Sequence, residues 1–159
     1  MKHPIGIFDS GYGGLTVLKS IREKLPQYDY LYLGDNARAP YGDRSFDVVY
    51  DYTLDAVRFL FEKGCHLVIL ACNTSSAKAL RSIQQNDLQR IDPNKRVLGV
   101  IRPCIEEIAE NKQINNVGII GTQGTIMSNS YGLEIKKYAP NIKFTQHACP
   151  LWVPLIENK

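Results

Sequence analysis

Short apolar runs recur along the chain, each followed by glycines or small polar residues and then by apolar positions at helical spacing. Runs of that kind read as buried strands of a parallel sheet, and the spaced positions as amphipathic helices. Ile5-Gly6-Ile7-Phe8 is the first such strand. Asp9-Ser10-Gly11-Tyr12-Gly13-Gly14 then turns the chain into a helix carrying Leu15, Val17, Leu18, Ile21 and Leu25, which Pro26 ends. Tyr30-Leu31-Tyr32-Leu33 is the second strand and closes at Gly34-Asp35. Asn36 to Arg44 is long for a strand-to-helix connection, and long loops at a sheet's carboxyl edge usually carry function. Ser45 can cap the next helix, whose buried stripe is Val48, Val49, Tyr52, Ala56, Phe59 and Leu60, and Gly64 closes it. Its aromatic residues read as packing.

His66-Leu67-Val68-Ile69-Leu70-Ala71-Cys72 is the third strand. Asn73, Thr74 and Ser75 are good helix caps, a helix is expected over Ala77–Gln85, and Asn86 to Lys95 reads as a polar surface loop. Val97–Ile101 is the fourth strand, and Arg102-Pro103 starts the helix after it. Asn116–Gly121 is the fifth strand, followed by a helix from Thr122 to about Lys137, and Lys143–His147 is the sixth strand. Ala148 to Ile156, with two prolines, reads as irregular. Strands and helices alternate throughout, so the fold class is α/β with doubly wound, flavodoxin-like parallel sheets and right-handed crossovers.

The stretch Ile5–Gly13 is echoed by Val117–Gly124. Such units also recur by chance, but a true echo means two related halves. The expected division is a first α/β domain over 1–96 and a partial second over 97–159. A counterpart of Cys72 in the second half would fall beyond Lys159, so the second domain is expected to be incomplete. A chain lacking sheet partners is expected to expose apolar surface and to be marginally stable.

Composition changes this picture little. The 159 residues are 44% hydrophobic and 22% charged, as in an ordinary soluble domain. A net charge of +3, scattered along the chain, does not suggest nucleic acid. No apolar segment reaches the length of a membrane span or a secretion signal, so a cytoplasmic location is expected. Cys65, Cys72, Cys104 and Cys149 have neither metal-site nor C-x-x-C spacing and read as reduced thiols, with no metal site expected.

Chemistry gathers at the predicted strand ends. Cys72 lies at a carboxyl strand end beside a helix start, where open α/β sheets bind ligands and where a thiol loses its proton most easily. The plainer reading of a lone cysteine is a small buried hydrophobe, and it is kept for Cys65, Cys104 and Cys149. The Asp9–Gly14 turn is either an anion cradle of backbone N–H groups or an empty tight turn, and the Asp9 carboxylate favours the former. It matches neither the dinucleotide fingerprint nor the P-loop.

Several stretches together resemble glutamate racemase, the cofactor-independent enzyme that interconverts L- and D-glutamate for bacterial peptidoglycan. They are Gly6-Ile7-Phe8-Asp9-Ser10-Gly11 through Val17, Tyr32-Leu33-Gly34-Asp35, Pro40-Tyr41-Gly42, Ala71-Cys72-Asn73-Thr74, Gly121 to Ile126, and Ala148-Cys149-Pro150-Leu151 through Glu157, in the family's order. The resemblance implies that Cys72 is a catalytic base acting on D-glutamate and that Asp9 assists it. It implies that Asp9, Ser10, Tyr41, Gly42, Asn73, Thr74 and Thr122 bind substrate, with Asp35 and Glu157 as supporting carboxylates. It implies a small-molecule partner, glutamate, with no cofactor, nucleic acid or membrane, and it is compatible with a homodimer.

Two departures stand out. Arg102-Pro103 occupies a place where related enzymes often have Glu-Pro, and the family's second catalytic cysteine, in a Cys-Thr-His stretch, is absent from these residues. The resemblance therefore covers the amino-terminal portion of such an enzyme, and this portion by itself is expected to fall short of full racemisation. The chemistry explains the need for a pair. The α-hydrogen of an amino acid is a very weak acid, and inversion without a cofactor takes one base on each face of the α-carbon. A thiol, with a reference pKa of about 8.5, can be tuned toward such a role. The other readings are a non-catalytic carboxylate- or phosphate-binding module and a related amino-acid racemase, such as one for aspartate.

Overall fold

The computed structural model describes residues 3–157, apart from the side chain of Glu157. The strands β1 (Ile5–Asp9), β2 (Tyr30–Gly34), β3 (Leu67–Leu70) and β4 (Arg96–Gly99) form one parallel sheet in the order β2-β1-β3-β4. The strands β5 (Asn116–Gly121) and β6 (Lys143–Ala148) form a second parallel pair. Parallel strands need crossovers, and helices supply them: α1 (Gly14–Lys24) links β1 to β2, α2 (Phe46–Glu62) links β2 to β3, and α6 (Ile101–Glu110) links the two sheets. The chain also carries α3 (Asn73–Lys78), α4 (Leu80–Ser82), α5 (Leu88–Ile91), α7 (Gln123–Met127), α8 (Ser130–Tyr138) and α9 (Trp152–Glu157).

Register explains the burial. Ile5 to Asp9 pair with Tyr30 to Gly34 on one side, and Ile5 to Phe8 pair with Leu67 to Leu70 on the other. β1 is thus interior, and Ile7 and Phe8 are fully buried. The first core joins Phe8, Val68, Leu70 and Val97 of the sheet to Val49, Val57, Leu60 and Phe61 of α2 and to Ala79 and Ile83. Each of these side chains larger than alanine contributes about 1.5–3 kcal/mol by leaving water. The second core is smaller. Ile101 and Ile105 of α6 meet Ile135 and Ala139 at the end of α8, over the inner faces of Val117, Ile119 and Phe144.

Several expectations shift. The domain division at 96/97 falls inside β4, which pairs with β3 through Val68–Val97 and Ile69–Leu98, so the sheets part between Gly99 and Asn116. The third helical segment starts at Asn73 rather than Ala77, and Cys72 is its cap, since its backbone is still extended. Most of the stretch expected as a loop over Asn86–Lys95 stays helical. A π-turn at Ile83–Asp87 leads into α5, held because Leu88 and Ile91 pack on the first core and Tyr50 donates a hydrogen bond to Asp87 at 2.6 Å. β4 ends at Gly99, and Ile101 instead enters the second core. The helix after β5 breaks at Asn129, whose φ of 53° is left-handed, a conformation that Asn tolerates. The terminal apolar stretch is not irregular throughout, because Trp152–Glu157 is helical. Pro154 fits there, since the first turn of a helix has no intrahelical use for its N–H groups. In α2, Phe59 is 42% exposed rather than part of the buried stripe, with the Lys63 ammonium 5.3 Å from its ring. Among the described residues, no helix is long and apolar enough to cross a membrane.

The two sheets are unequally supported. β5 and β6 turn alternate residues outward, leaving Ile120 57% exposed on a face that parallel sheets ordinarily cover. Two strands alone are marginal in water. Native-state hydrogen exchange is therefore expected to show weaker protection in Val117–Ile120 than in Gly6–Phe8. Equal protection in the two strands would refute this difference in local stability.

Candidate active site

In the order β2-β1-β3-β4, the chain runs one way from β1 to β2 and the other way from β3 to β4. The crevice beyond the carboxyl ends of β1 and β3 is therefore a topological switch point, the place where open α/β sheets bind ligands. Asp9 and Ser10 leave β1 there, and Cys72 leaves β3. The Ser10 hydroxyl and the Cys72 sulfur are 3.3 Å apart. Ser75 N–H in the first turn of α3 donates to the same sulfur at 3.4 Å. Asp9 is buried and its Oδ2 accepts from Gly14 N–H at 2.8 Å, so the glycine turn wraps around this carboxylate. The Asp9 carbonyl accepts from Asp35 N–H at 2.9 Å, which ties the end of β2 to the same corner.

The loop from Asn36 to Arg44 is built on Asp35 and Tyr52. Asp35 Oδ2 accepts from Arg38 Nε and from the Tyr41 hydroxyl, both at 2.5 Å. The Arg38 guanidinium lies 4.2 Å from the Tyr52 ring centre, and Arg44 reaches the Arg38 carbonyl through Nε and Nη2 at 3.1 and 2.9 Å. Tyr41 is 1% exposed, tilted between the rings of Phe8 and Tyr52, so this pair can offer a ligand only backbone. Its partner Gly42 touches the second unit. The Gly42 carbonyl accepts from Gly124 N–H at 2.9 Å, and a methyl in place of its hydrogen would fall 2.9 Å from Thr122 Cβ.

Thr122 caps α7 and donates to Thr125 Oγ1 at 3.0 Å, and the Thr74 hydroxyl lies 3.0 Å from the Thr122 hydroxyl. Asn73 is exposed at the start of α3, its Oδ1 accepting from the Tyr131 hydroxyl at 2.6 Å. Contacts thus bring Asp9, Ser10 and Cys72 to one corner of the sheet and join Thr74 to Thr122 and Gly42 to the Thr122 turn, with Asn73 exposed beside them and Asp35 holding Tyr41 in the loop. The side chain of Glu157 lies outside the described residues. Cys65 is buried in the first core, Cys104 is on α6 and Cys149 follows β6; all four cysteines are free. A separate groove of about 660 Å³ between α4, α6 and α8 is lined by Arg81, Leu98, Arg102 and Lys137, and neither Asp9 nor Cys72 borders it.

Tyr32, Arg38, Thr125 and Tyr131 carry local sequence signals no stronger than those of ordinary packing or surface residues. Only the fold shows that their polar atoms converge on the site. The Tyr32 hydroxyl, for example, reaches the Gly11 carbonyl at 3.4 Å across the glycine turn.

No family model matches the chain. The comparison with curated proteins is decisive. The chain is 46% identical over 154 residues to glutamate racemase from Geobacter metallireducens, covering 97% of this chain and 55% of that protein. It is also 46% identical to glutamate racemase from Aquifex aeolicus, covering 58% of that protein. The chain belongs to the glutamate racemase family. Solved racemase structures agree: the enzyme from Francisella tularensis in complex with D-glutamate superposes with a TM-score of 0.86 at 39% identity, over 98% of this chain and 56% of that one. The RacE1 isoform from Bacillus anthracis gives 0.90 at 35% identity, over 99% of this chain and 57% of that one. This chain thus spans a little over half the length of the racemases it matches.

Titration offers a test of this geometry. Burial pushes the Tyr32 hydroxyl up to about 12, with Asp9 and then Cys72 adding to the effect. Tyr41 is also raised, by burial and then by its bond to Asp35. Burial takes Tyr131 up to about 12, with a smaller push from Cys104. The fold favours each neutral phenol, so this stability is complete below the unfolded value of about 10 and is lost as pH rises toward 12. The Tm is expected to fall steadily across that window, and Tyr32→Phe should make the fall shallower. A Tm flat from pH 10 to 12 would refute it.

Proposed function

We propose that this chain supplies one wall of a cofactor-independent glutamate racemase site, with Cys72 as the base that acts on D-glutamate. The observation that carries the reading is the meeting of Asp9, Ser10 and Cys72 at the β1/β3 switch point, faced by Thr74 and Thr122. In the proposed step, the Cys72 thiolate takes the α-hydrogen of D-glutamate and becomes a thiol. The electron pair stays on the α-carbon and its carboxylate. Ser10 and the Ser75 N–H serve the sulfur as hydrogen-bond partners, which suits a group that gains and loses charge during turnover. Asp9, held by Gly14 N–H, is placed to meet the substrate ammonium or to assist proton movement at Cys72. The hydroxyls of Thr74 and Thr122, the Asn73 amide and the Tyr41–Gly42 backbone would take the two carboxylates, and Asp35 acts indirectly by holding the loop in place.

Inversion needs an acid on the opposite face of the α-carbon. This reading gives that role to none of Cys65, buried in the first core, Cys104 on α6 and Cys149 after β6, and concerns only the face served by Cys72. The reading places the protein in the cytoplasm, supplying D-glutamate for peptidoglycan.

The test is proton exchange rather than inversion. With D-glutamate in heavy water, the chain should introduce deuterium at the α-carbon, followed by the loss of the α-proton NMR signal. Cys72→Ala should slow this exchange by about a hundredfold or more, the usual weight of a positioned acid–base group. Exchange at the same rate in the variant would sink the role of Cys72. Binding of phosphate or a nucleotide without any binding of glutamate would favour a non-catalytic module.

A further inference from the structure

Lys78 takes no part in the proposed chemistry, yet three segments of the site meet at its side chain. It ends α3, whose cap is Cys72. Its ammonium donates to the Arg44 carbonyl at 2.6 Å, at the close of the loop that presents Tyr41 and Gly42. On the other side it fills the space in front of Gly124. A methyl on Gly124 would lie 2.6 Å from both Cε and Nζ of Lys78, and 2.8 Å from the Gly42 carbonyl. Gly124 N–H is the group that holds that carbonyl, two residues from Thr122.

We infer that Lys78 is a positioning residue for substrate binding: it locks the Tyr41–Gly42 loop, the Cys72 helix and the Thr122 turn into one register. The inference rests on the proposed function, because it concerns the same crevice. Three physical points support it. The ammonium is a donor on a long stem, able to cross from α3 to the Arg44 carbonyl of the loop. The missing side chain at Gly124 leaves the end of that stem its present room. The site is also costly for a cation, since burial draws the lysine below its ordinary range while Asp43 pulls it back up. A lysine kept in such a place is balanced by the bond it makes.

The experiment compares the wild-type chain with Lys78→Met, which keeps the stem and removes the donor. D-glutamate affinity is read by calorimetric titration, deuterium exchange at the α-carbon is read at saturating D-glutamate, and the thermal midpoint is read alongside. A charge-assisted hydrogen bond lost from a positioning loop should weaken affinity by about tenfold. Exchange at saturation should stay within about twofold of wild type, because Cys72, Ser10 and Asp9 are untouched. Unchanged affinity in Lys78→Met overturns the inference, as does a loss of saturated exchange as large as the loss of affinity. If Lys78→Met does not fold, Lys78→Leu carries the test, since it too lacks a donor for the Arg44 carbonyl and leaves Gly124 and Gly42 untouched. Wild-type affinity in Lys78→Leu overturns the inference, and weakened affinity supports it. Failure of the underlying reading looks different: the wild-type chain would then bind no D-glutamate, and both proposals would fall together.

Discussion

The parallel pairing of β1 with β3 is the constraint on which the rest of the site depends. Residues of β1 lie far in sequence from those of β3, and Ile5–Leu67 through Phe8–Leu70 set them side by side in one register. That register delivers Asp9 and Ser10 beside Cys72 at one corner of the sheet, with the sulfur and hydroxyl in contact. A slip of one residue would exchange the side chains of the two buried faces of β1 and carry Asp9 away from the corner. Phe8 and Leu70, both fully buried against α2, are what make such a slip costly. Core packing and site geometry are therefore one property of this sheet.

A second layer of order comes from carboxylates that serve the backbone. Asp9 accepts from Gly14 N–H and so shapes the glycine turn, while Asp35 accepts from Arg38 and Tyr41 and so shapes the loop opposite. Asp35 bonds to a buried phenol and a half-exposed guanidinium, a setting in which a charged hydrogen bond is worth more than at a free surface. The loop presents backbone toward the crevice because its own side chains are occupied in holding it together. A long loop with a fixed shape can carry binding groups without ordering them anew for each ligand.

How much of this is legible in the sequence depends on range. The strands stand out because a buried parallel strand leaves an unbroken apolar run, and all six appear within a few residues of their observed bounds. Asp9, Ser10 and Cys72 stand out because each ends such a run beside small residues. The π-turn and the helix through Ile91 do not, since Gln84, Gln85 and Asp87 look like loop residues while the packing of Leu88 and Ile91 on the first core decides the outcome. The division between the sheets is hidden for a similar reason. Val97 and Leu98 carry no mark of the sheet they join, and only pairing with Val68 and Ile69 settles it. Lys78 is invisible because its partner, Arg44, lies in another segment, and Arg38 and Thr125 show only their near partners, Asp35 and Thr122, while Asp55 and Thr74 come from other elements.

The two units stand in an unequal relation that bears on chemistry. The first has a four-stranded sheet with a buried β1, a filled core and the residues that would handle the α-hydrogen. The second has two strands, a small core and an uncovered outer face, and it contributes Thr122 and the Gly124 N–H that grips Gly42. A ligand held between Thr74 and Thr122 would touch both units, and binding would then stabilise the weaker one through its contacts with the stronger. The hydroxyl cluster of Thr74, Thr122 and Thr125 is suited to that coupling. Each hydroxyl can donate or accept, so a carboxylate arriving there can be met by donors without breaking the bond between the units. On the proposed reading, such a site would gain its final geometry from the ligand itself, and the Lys78 bridge would set how much of that geometry exists beforehand.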